Sequence, residues 1–493
     1  MLKRRPMSTE SIFVIAGSLV LISIIVSTLS DRWGIPALVL FMGIGMLAGS
    51  DGPGDINFDN AAVAQVVGIV ALIYILFSGG LETHWHRIRA VIGPGLLLAN
   101  IGVVISASMV AAIAVWLFDL PPVVGLLLGA IISSTDAAAV FNVLRTRGVR
   151  LPEPVESLIE LESGSNDPIA VFLTIGLTSY LTSSGHSVGA LAIEFVLEMV
   201  LGVVIGGLGG YLITWLINRL RLQDGLYPVL TLSMTIMVYG AAMLVHGNGF
   251  LAVYVAGLVV GNRPIIHRRS LIRFHEGIAW LMQIAMFLTL GLLVYPSQLV
   301  PLIGKGLLLA IFLMFIARPI SVIVALGWTR FKLRERLMIS WAGLRGAVPI
   351  VLATFPLIAG VPQANDMFHL IFFVVLASVT VQGMSIGWVA DRLKLNSHDI
   401  QINSMPLDFI PEISPESTVY EVVVPDDARL AGRNIMELQL PRGALVVLIR
   451  RGRETIVPSG NTRVQANDKI LMLADQQALE VINQRLNIAN QAA

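Results

Sequence analysis

The sequence predicts a polytopic α-helical membrane protein: about thirteen transmembrane helices in inverted six-helix repeats, with two broken crossing helices, followed by a small α+β domain. Three observations carry that prediction. First, 55% of the 493 residues are hydrophobic, only 13% are charged, and the mean hydropathy is +0.80. A soluble chain of this length divides into two or three domains and needs a far more charged surface. Second, uncharged runs such as 91–118 exceed the roughly 20 residues that span a bilayer. Third, the basic residues are concentrated in alternate loops between those runs.

Polar and turn-forming clusters cut the apolar sequence into stretches at 11–30, 35–50, 62–81, 91–118, 121–141, 155–182, 189–218, 226–246, 250–262, 277–295, 299–328, 336–360 and 367–391. Loops after odd-numbered stretches are basic: Arg87 and Arg89; Arg145, Arg147 and Arg150; Arg219 and Arg221; Arg263, Arg268, Arg269 and Arg273; Arg330, Lys332, Arg334 and Arg336. Loops after even-numbered stretches carry no Lys or Arg, and the second holds Asp51, Asp55 and Asp59. The positive-inside rule then places the odd ends and the C-terminus in the cytoplasm and the N-terminus outside. Lys3, Arg4 and Arg5 object to that orientation of the first stretch. A cleaved signal peptide is the other reading of residues 1–30, although no small-x-small site follows Leu29.

Residues 1–392 form the membrane domain, and 393–415, with Pro406, Pro411 and Pro415, read as a linker. Residues 416–493 read as a soluble module. Thr418 to Val424 alternates as a strand, Leu430 to Leu438 is amphipathic, and Ala444 to Ile449 with Thr455 to Val457 flank an Arg-Gly-Arg turn as a hairpin. Lys469 to Leu473 is a further strand and Gln476 to Leu486 a closing helix. The absence of cysteine excludes disulfides, thiolate metal sites and cysteine nucleophiles. No basic domain with interleaved aromatics marks a nucleic-acid partner.

An ionisable residue at mid-bilayer depth costs a few kcal/mol on insertion scales, so each is a functional candidate until paired. The fifth stretch contains Ser133-Ser134-Thr135-Asp136, four consecutive polar residues that favour an unwound break over a continuous helix. A polar cap on a short helix is the plainer alternative. The sixth carries Glu162, Ser163, Asn166, Asp167 and Pro168, and at 1.5 Å per residue Asp167 lies about 18 Å into the span. Ser163 and Asp167 share a helix face, whereas Glu162 lies about 140° away from Asp167. Asp167 is thus a carrier of either a proton or a cation, and Glu162 requires a fixed positive partner.

The twelfth stretch offers Arg345 within Gly343-Leu344-Arg345-Gly346-Ala347-Val348-Pro349, a second helix that must bend or unwind. Arg345 keeps its charge and is the expected partner of Glu162. Arg318, in the eleventh stretch, is either a second counter-charge or a snorkelling side chain. Glu194 and Glu198 face water or a neighbouring subunit. The two interrupted stretches are seven apart. Matching stretch n with n + 7 leaves the seventh as a connector and, because seven is odd, inverts one half relative to the other. Inverted repeats with broken helices at the midplane are the signature of a secondary transporter.

The run Glu162-Ser-Gly-Ser-Asn-Asp-Pro168, with Ser-Thr-Asp136 upstream and Gly-Leu-Arg-Gly-Ala347 downstream, resembles the NhaP-type monovalent cation/proton antiporters, relatives of the sodium/proton exchangers. The resemblance covers roughly residues 10–392 and implies the NhaA-like antiporter fold and a homodimer. It implies that Asp167 is the ion- and proton-binding carboxylate, that Thr135 and Ser163 contribute cation ligands, and that Asn166 supplies the amide of an Asn-Asp pair. It also implies that Asp136 helps neutralise the helix break and that Glu162 pairs with Arg345. Ala137 departs from the proline found there in many relatives. Glu82 is a secondary candidate for an embedded acid near the third stretch.

Residues 416–487 resemble the TrkA-C (RCK-C) regulatory module of potassium channels and transporters, with no Gly-x-Gly-x-x-Gly for a nucleotide-binding partner. Antiporters with this tail resemble the potassium/proton branch, and any further regulatory domain of such relatives lies outside these residues. The expected activity is electroneutral, one-for-one exchange of cytoplasmic potassium, or sodium, for protons across a bacterial inner membrane. It serves cation, pH and volume homeostasis, with no cofactor and with a small-molecule regulator at the tail. A sodium (lithium)/proton antiporter is one rival. A ligand-gated potassium efflux channel is another, although no Thr-Val-Gly-Tyr-Gly filter appears. A hydrolase is disfavoured by the lack of His-Glu-x-x-His and Gly-x-Ser-x-Gly.

Overall fold

The protein was analysed as a computed structural model. It describes residues 9–33, 36–182 and 188–396, and, in the tail, 402–404, 417–424, 432–438, 440–441, 443–452, 454–475 and 478. Lys3, Arg4 and Arg5, most of the linker and the closing helix at Gln476 to Leu486 lie outside these residues, apart from Ala478.

Each apolar stretch is helical. In chain order the helices are α1 (Thr9–Trp33), α2 (Ala37–Ala48), α3 (Ala61–Glu82), α4 (Ile92–Phe118), α5 (Pro122–Ile132), α6 (Ala137–Thr146), α7 (Glu153–Thr182) and α8 (Val188–Arg219). There follow α9 (Leu226–Leu244), α10 (Gly249–Gly261), α11 (Arg268–Leu293), α12 (Pro296–Leu326), α13 (Leu333–Trp341), α14 (Ala347–Ile358) and α15 (Ala364–Arg392). Among the described residues nine spans are long and apolar enough to cross a membrane, with α2, α10 and α14 as shorter apolar helices. α7 is 30 residues long and is set apart by its acidic residues.

Apolar faces cannot drive helices together inside lipid, so close approach of small residues must do so. The contact between α3 and α10 shows this. A Cβ on Gly80 would lie 2.4 Å from the Tyr254 carbonyl oxygen, and one on Gly257 would lie 2.4 Å from that of Phe77. Polar side chains add ties: Asn248, the N-cap of α10, accepts from the Leu251 N–H at 3.0 Å and donates to the Pro168 carbonyl of α7 at 3.1 Å. That places a hydrogen bond from α10 one residue beyond Asp167.

The tail is a separate unit. Strands β1 (Ile402–Ser404), β2 (Ser417–Val423), β3 (Ala444–Arg451), β4 (Glu454–Ile456) and β5 (Lys469–Asp475) form an antiparallel sheet in the order β1-β2-β5-β3-β4. The β3–β4 pair is the hairpin expected around the Arg-Gly-Arg turn. Leu430 to Leu438 supplies a short 3-10 turn, Ile435–Leu438, among its described residues. β1 falls inside the stretch read as linker yet pairs with β2. Val424, Val446, Ile449, Val464, Ile470 and Met472 form the small core. Beside it the buried Asp468 carboxylate accepts from Arg451 Nε at 2.9 Å, Arg451 Nη2 at 2.8 Å and the Gln465 N–H at 2.7 Å.

Candidate functional site

Both helix breaks expected from the polar residues are present, and they touch. α5 ends at Ile132, Ser133 to Asp136 run unwound, and Asp136 caps α6 by accepting from the Ala139 N–H at 3.0 Å. α13 ends at Trp341, and α14 begins only at Ala347. The Asp136 N–H donates to the Leu344 carbonyl at 2.8 Å, joining one break to the other. Gly346 permits this approach, since a Cβ there would collide with the Asp136 carboxylate. The second break is held from α15. The Arg345 N–H donates to Ser378 Oγ at 3.1 Å, Ser378 Oγ donates to Gln382 Oε1 at 2.6 Å, and Gln382 Nε2 donates to the Trp341 carbonyl at 3.0 Å.

α7 presents its polar face to the first break. Asp167, 6% exposed, accepts from Ser134 Oγ at 2.5 Å. Asn166 Nδ2 donates to Thr135 Oγ1 at 2.6 Å, while Asn166 Oδ1 is buried without a partner. Ser163 Oγ donates to the Thr135 carbonyl at 2.9 Å and accepts from the Ala137 N–H at 3.0 Å. The unpaired backbone of the break is therefore satisfied by side chains of α7, as a non-helical segment at membrane depth requires.

A cavity of about 200 Å³ reaches Asp167, Ser163, Gly164 and Asp136, and is also lined by Glu82, Glu160, Glu276 and Arg145. Asp167, Ser163 and Asp136 thus meet at the cavity, as the sequence expectation requires of a cation site. Thr135 and Asn166 do not line it: they bond to each other behind it. Glu82 lines the cavity and is exposed.

The expected Glu162–Arg345 pair is corrected. Glu162 is paired with Arg318, whose Nη1 and Nη2 donate to the two carboxylate oxygens at 2.5 and 2.7 Å. Arg318 is 3% exposed, so it does not snorkel. The physical cause is a π-helical turn, Leu313–Ala317, immediately before Arg318, which re-aims the side chains that follow. Gly343 makes room: a Cβ there would sit 2.4 Å from Arg318 Nε. Arg345 instead turns its Nη1 to the carbonyls of Ser133 and Ser134, at 2.5 and 3.0 Å, and meets no carboxylate among the described residues. Both bonds are made by the one nitrogen, and Nη2 has no partner among the described residues. Sequence reasoning passed over Ser134, whose signal was its place in the four-residue polar run.

Two discontinuous helices meeting beside a buried carboxylate, within a bundle of apolar helices, are hallmarks of a secondary transporter. The chain belongs to the sodium/hydrogen exchanger family, whose transmembrane domain matches residues 18–392, and a TrkA-C domain matches residues 419–487. It is accordingly a transporter and not an enzyme. Its relatives include the K(+)/H(+) antiporter NhaP2 of Shewanella baltica, 40% identical over 490 residues, covering 98% of this chain and 84% of that protein. The K(+)/H(+) antiporter NhaP of Alkalimonas amylolytica is 40% identical over 465 residues, 93% of this chain and 80% of that protein. The Na(+)/H(+) antiporter NhaH of Halobacillus aidingensis is 27% identical, over 65% of this chain and 81% of that protein. In fold, the chain is similar to the sodium proton antiporter MjNhaP1 of Methanocaldococcus jannaschii, with a TM-score of 0.68 and 24% identity over 78% of this chain and 99% of that one.

Proposed function

We propose that this chain is a potassium/proton antiporter in which Asp167 carries either a proton or a potassium ion. The observation that carries the reading is a single buried carboxylate at the end of a cavity, between two touching helix breaks, with hydroxyl and amide oxygens around it. Hard monovalent cations take oxygen ligands. Asp167, Ser163 and Asp136 offer them at the cavity, while Thr135 and Asn166, bonded to each other, brace the break behind it. Because Asn166 stands where a second acid would double the titrating charge, exchange is one for one and electroneutral. Asp136 caps the break and Glu162–Arg318 fixes α7 against α12.

The identity with two potassium/proton antiporters over nearly the whole chain supports potassium over sodium. Two helical repeats of opposite orientation, thirteen crossings, basic loops in the cytoplasm of a bacterial inner membrane and a homodimer complete the reading. No cofactor takes part, and the TrkA-C tail binds a small regulator. The test is proton release from acid-loaded proteoliposomes on adding potassium, sodium or lithium. Potassium-driven release is expected. Release by sodium or lithium alone transfers the assignment to a sodium antiporter, and unitary currents transfer it to a channel.

A further inference from the structure

Glu160 lies on α7 seven residues before Asp167, two turns along the same face and about 10 Å away at 1.5 Å per residue. Its carboxylate accepts a hydrogen bond from Thr83 Oγ1, which also lies 2.8 Å from the Gly79 carbonyl, the alternative acceptor for its single proton. Between the two acids, over Gly164, lies the ring of Tyr254 from α10. A Cβ on Gly164 would stand 2.5 Å from its Cζ and 2.9 Å from its hydroxyl oxygen. That hydroxyl makes no hydrogen bond of normal geometry, its nearest polar neighbour being the Thr83 hydroxyl, and Tyr254 is 5% exposed.

The Tyr254 and Thr83 hydroxyls and the Glu160 carboxylate thus gather three oxygens at one point, with the phenol oxygen left short of a well-formed hydrogen bond that an occupant could supply. Glu160, Thr83, Tyr254 and Asp167 line the same cavity, and toward it also face the exposed Glu82 and Glu276. Against these acids the cavity sets one basic side chain, Arg145. Among the described residues none of Glu82, Glu160 and Glu276 has a basic partner within salt-bridge distance. Among the described residues no group of three or more carboxylate or imidazole side chains converges as a multivalent metal requires. One carboxylate with two hydroxyl oxygens, in a cavity large enough for water, suits a partly hydrated monovalent cation.

We propose that Glu160, Thr83 and Tyr254 form a second monovalent-cation site, two helical turns from Asp167 along the cavity. The inference rests on the cavity being the route of the transported cation. A cation held there waits two turns from Asp167 and moves onto its carboxylate as the proton leaves to the cavity water, so the second site sets the apparent affinity for the substrate.

The test measures thallium(I) binding to the purified full chain by calorimetry, which needs no transport. Asp167→Asn is expected to retain one weak thallium site, and Asp167→Asn/Glu160→Gln to lose it. Tyr254→Phe keeps the ring over Gly164, guards against misfolding, and is expected to weaken that binding at least threefold in the Asp167→Asn background. In proteoliposomes, Glu160→Gln is expected to raise the KM for potassium several-fold more than it lowers kcat. An Asp167→Asn protein that binds no thallium, or one whose binding survives Glu160→Gln unchanged, overturns the second site. Failure of potassium/proton exchange by the wild type contradicts the function proposed above and leaves the thallium result to judge this site by itself.

Discussion

At the scale of single residues, the charges inside the bundle have separate tasks. Asp167, the ion carrier of the function proposed above, accepts from Ser134, Glu162 and Arg318 neutralise each other, and Arg345 binds backbone. Breaking a buried pair by removing one partner leaves an uncompensated charge worth about 3–5 kcal/mol, whereas replacing both with apolar groups is far milder. Glu162→Gln is therefore expected to lower the melting temperature of the detergent-purified protein markedly, and Glu162→Leu/Arg318→Met to recover most of the loss. Combining Glu162→Gln with Arg345→Met should recover nothing, and recovery by that combination would restore the pairing expected from sequence. Ser134→Ala removes a hydrogen bond to a charged group, worth about 1.5–3 kcal/mol, and should slow exchange by on the order of tenfold at fixed pH, with Ser134→Thr retaining most activity.

At the scale of elements, the two breaks were legible because their cause is local. Ser133 to Asp136 puts four backbone-competing residues in succession, and Arg345 sits among glycines, so neither segment can continue as a plain apolar helix. The burial of Asp167 was legible for the same reason: an acid about 18 Å into a span, one turn beyond a serine on its own face. The partner of Glu162 was not. It depends on a π-turn at Leu313–Ala317 that no residue pattern marks, and on Gly343 leaving room for a guanidinium from another helix. Likewise the choice between Ser134 and Thr135 as the neighbour of Asp167 follows from the path of the unwound backbone. β1 escaped notice because three residues amid prolines carry no period.

The tail gives a pH-dependent element. Burial alone pushes the Asp468 carboxyl up, but the hydrogen bonds from Arg451 and the Gln465 N–H outweigh it and hold the carboxyl below its ordinary value. A depressed pKa contributes stability that is complete above the unfolded value of about 3.9 and is lost as pH falls through the folded value. Protection factors for amide exchange in β3 and β5 of the full chain, corrected for the intrinsic pH dependence, should thus be high at neutral pH and fall below about pH 4. Asp468→Asn should show faster exchange in those strands already at pH 7.

At the scale of the whole molecule, the fold reduces to a bundle of apolar helices with a polar cavity at the helix breaks, and a small sheet domain attached in sequence. Basic residues gather in alternate loops because charge there determines orientation, and a chain without cysteine allows the sidedness to be read directly. A membrane-impermeant maleimide should label Asp59→Cys from outside intact cells and Arg221→Cys only after permeabilisation. The exchange itself is decided by potassium-driven proton flux in proteoliposomes, recorded together with membrane potential, for the wild type and Asp167→Asn. The predicted result is saturable flux without a developing potential in the wild type and none in the variant. Flux at the wild-type rate through Asp167→Asn contradicts the central assignment.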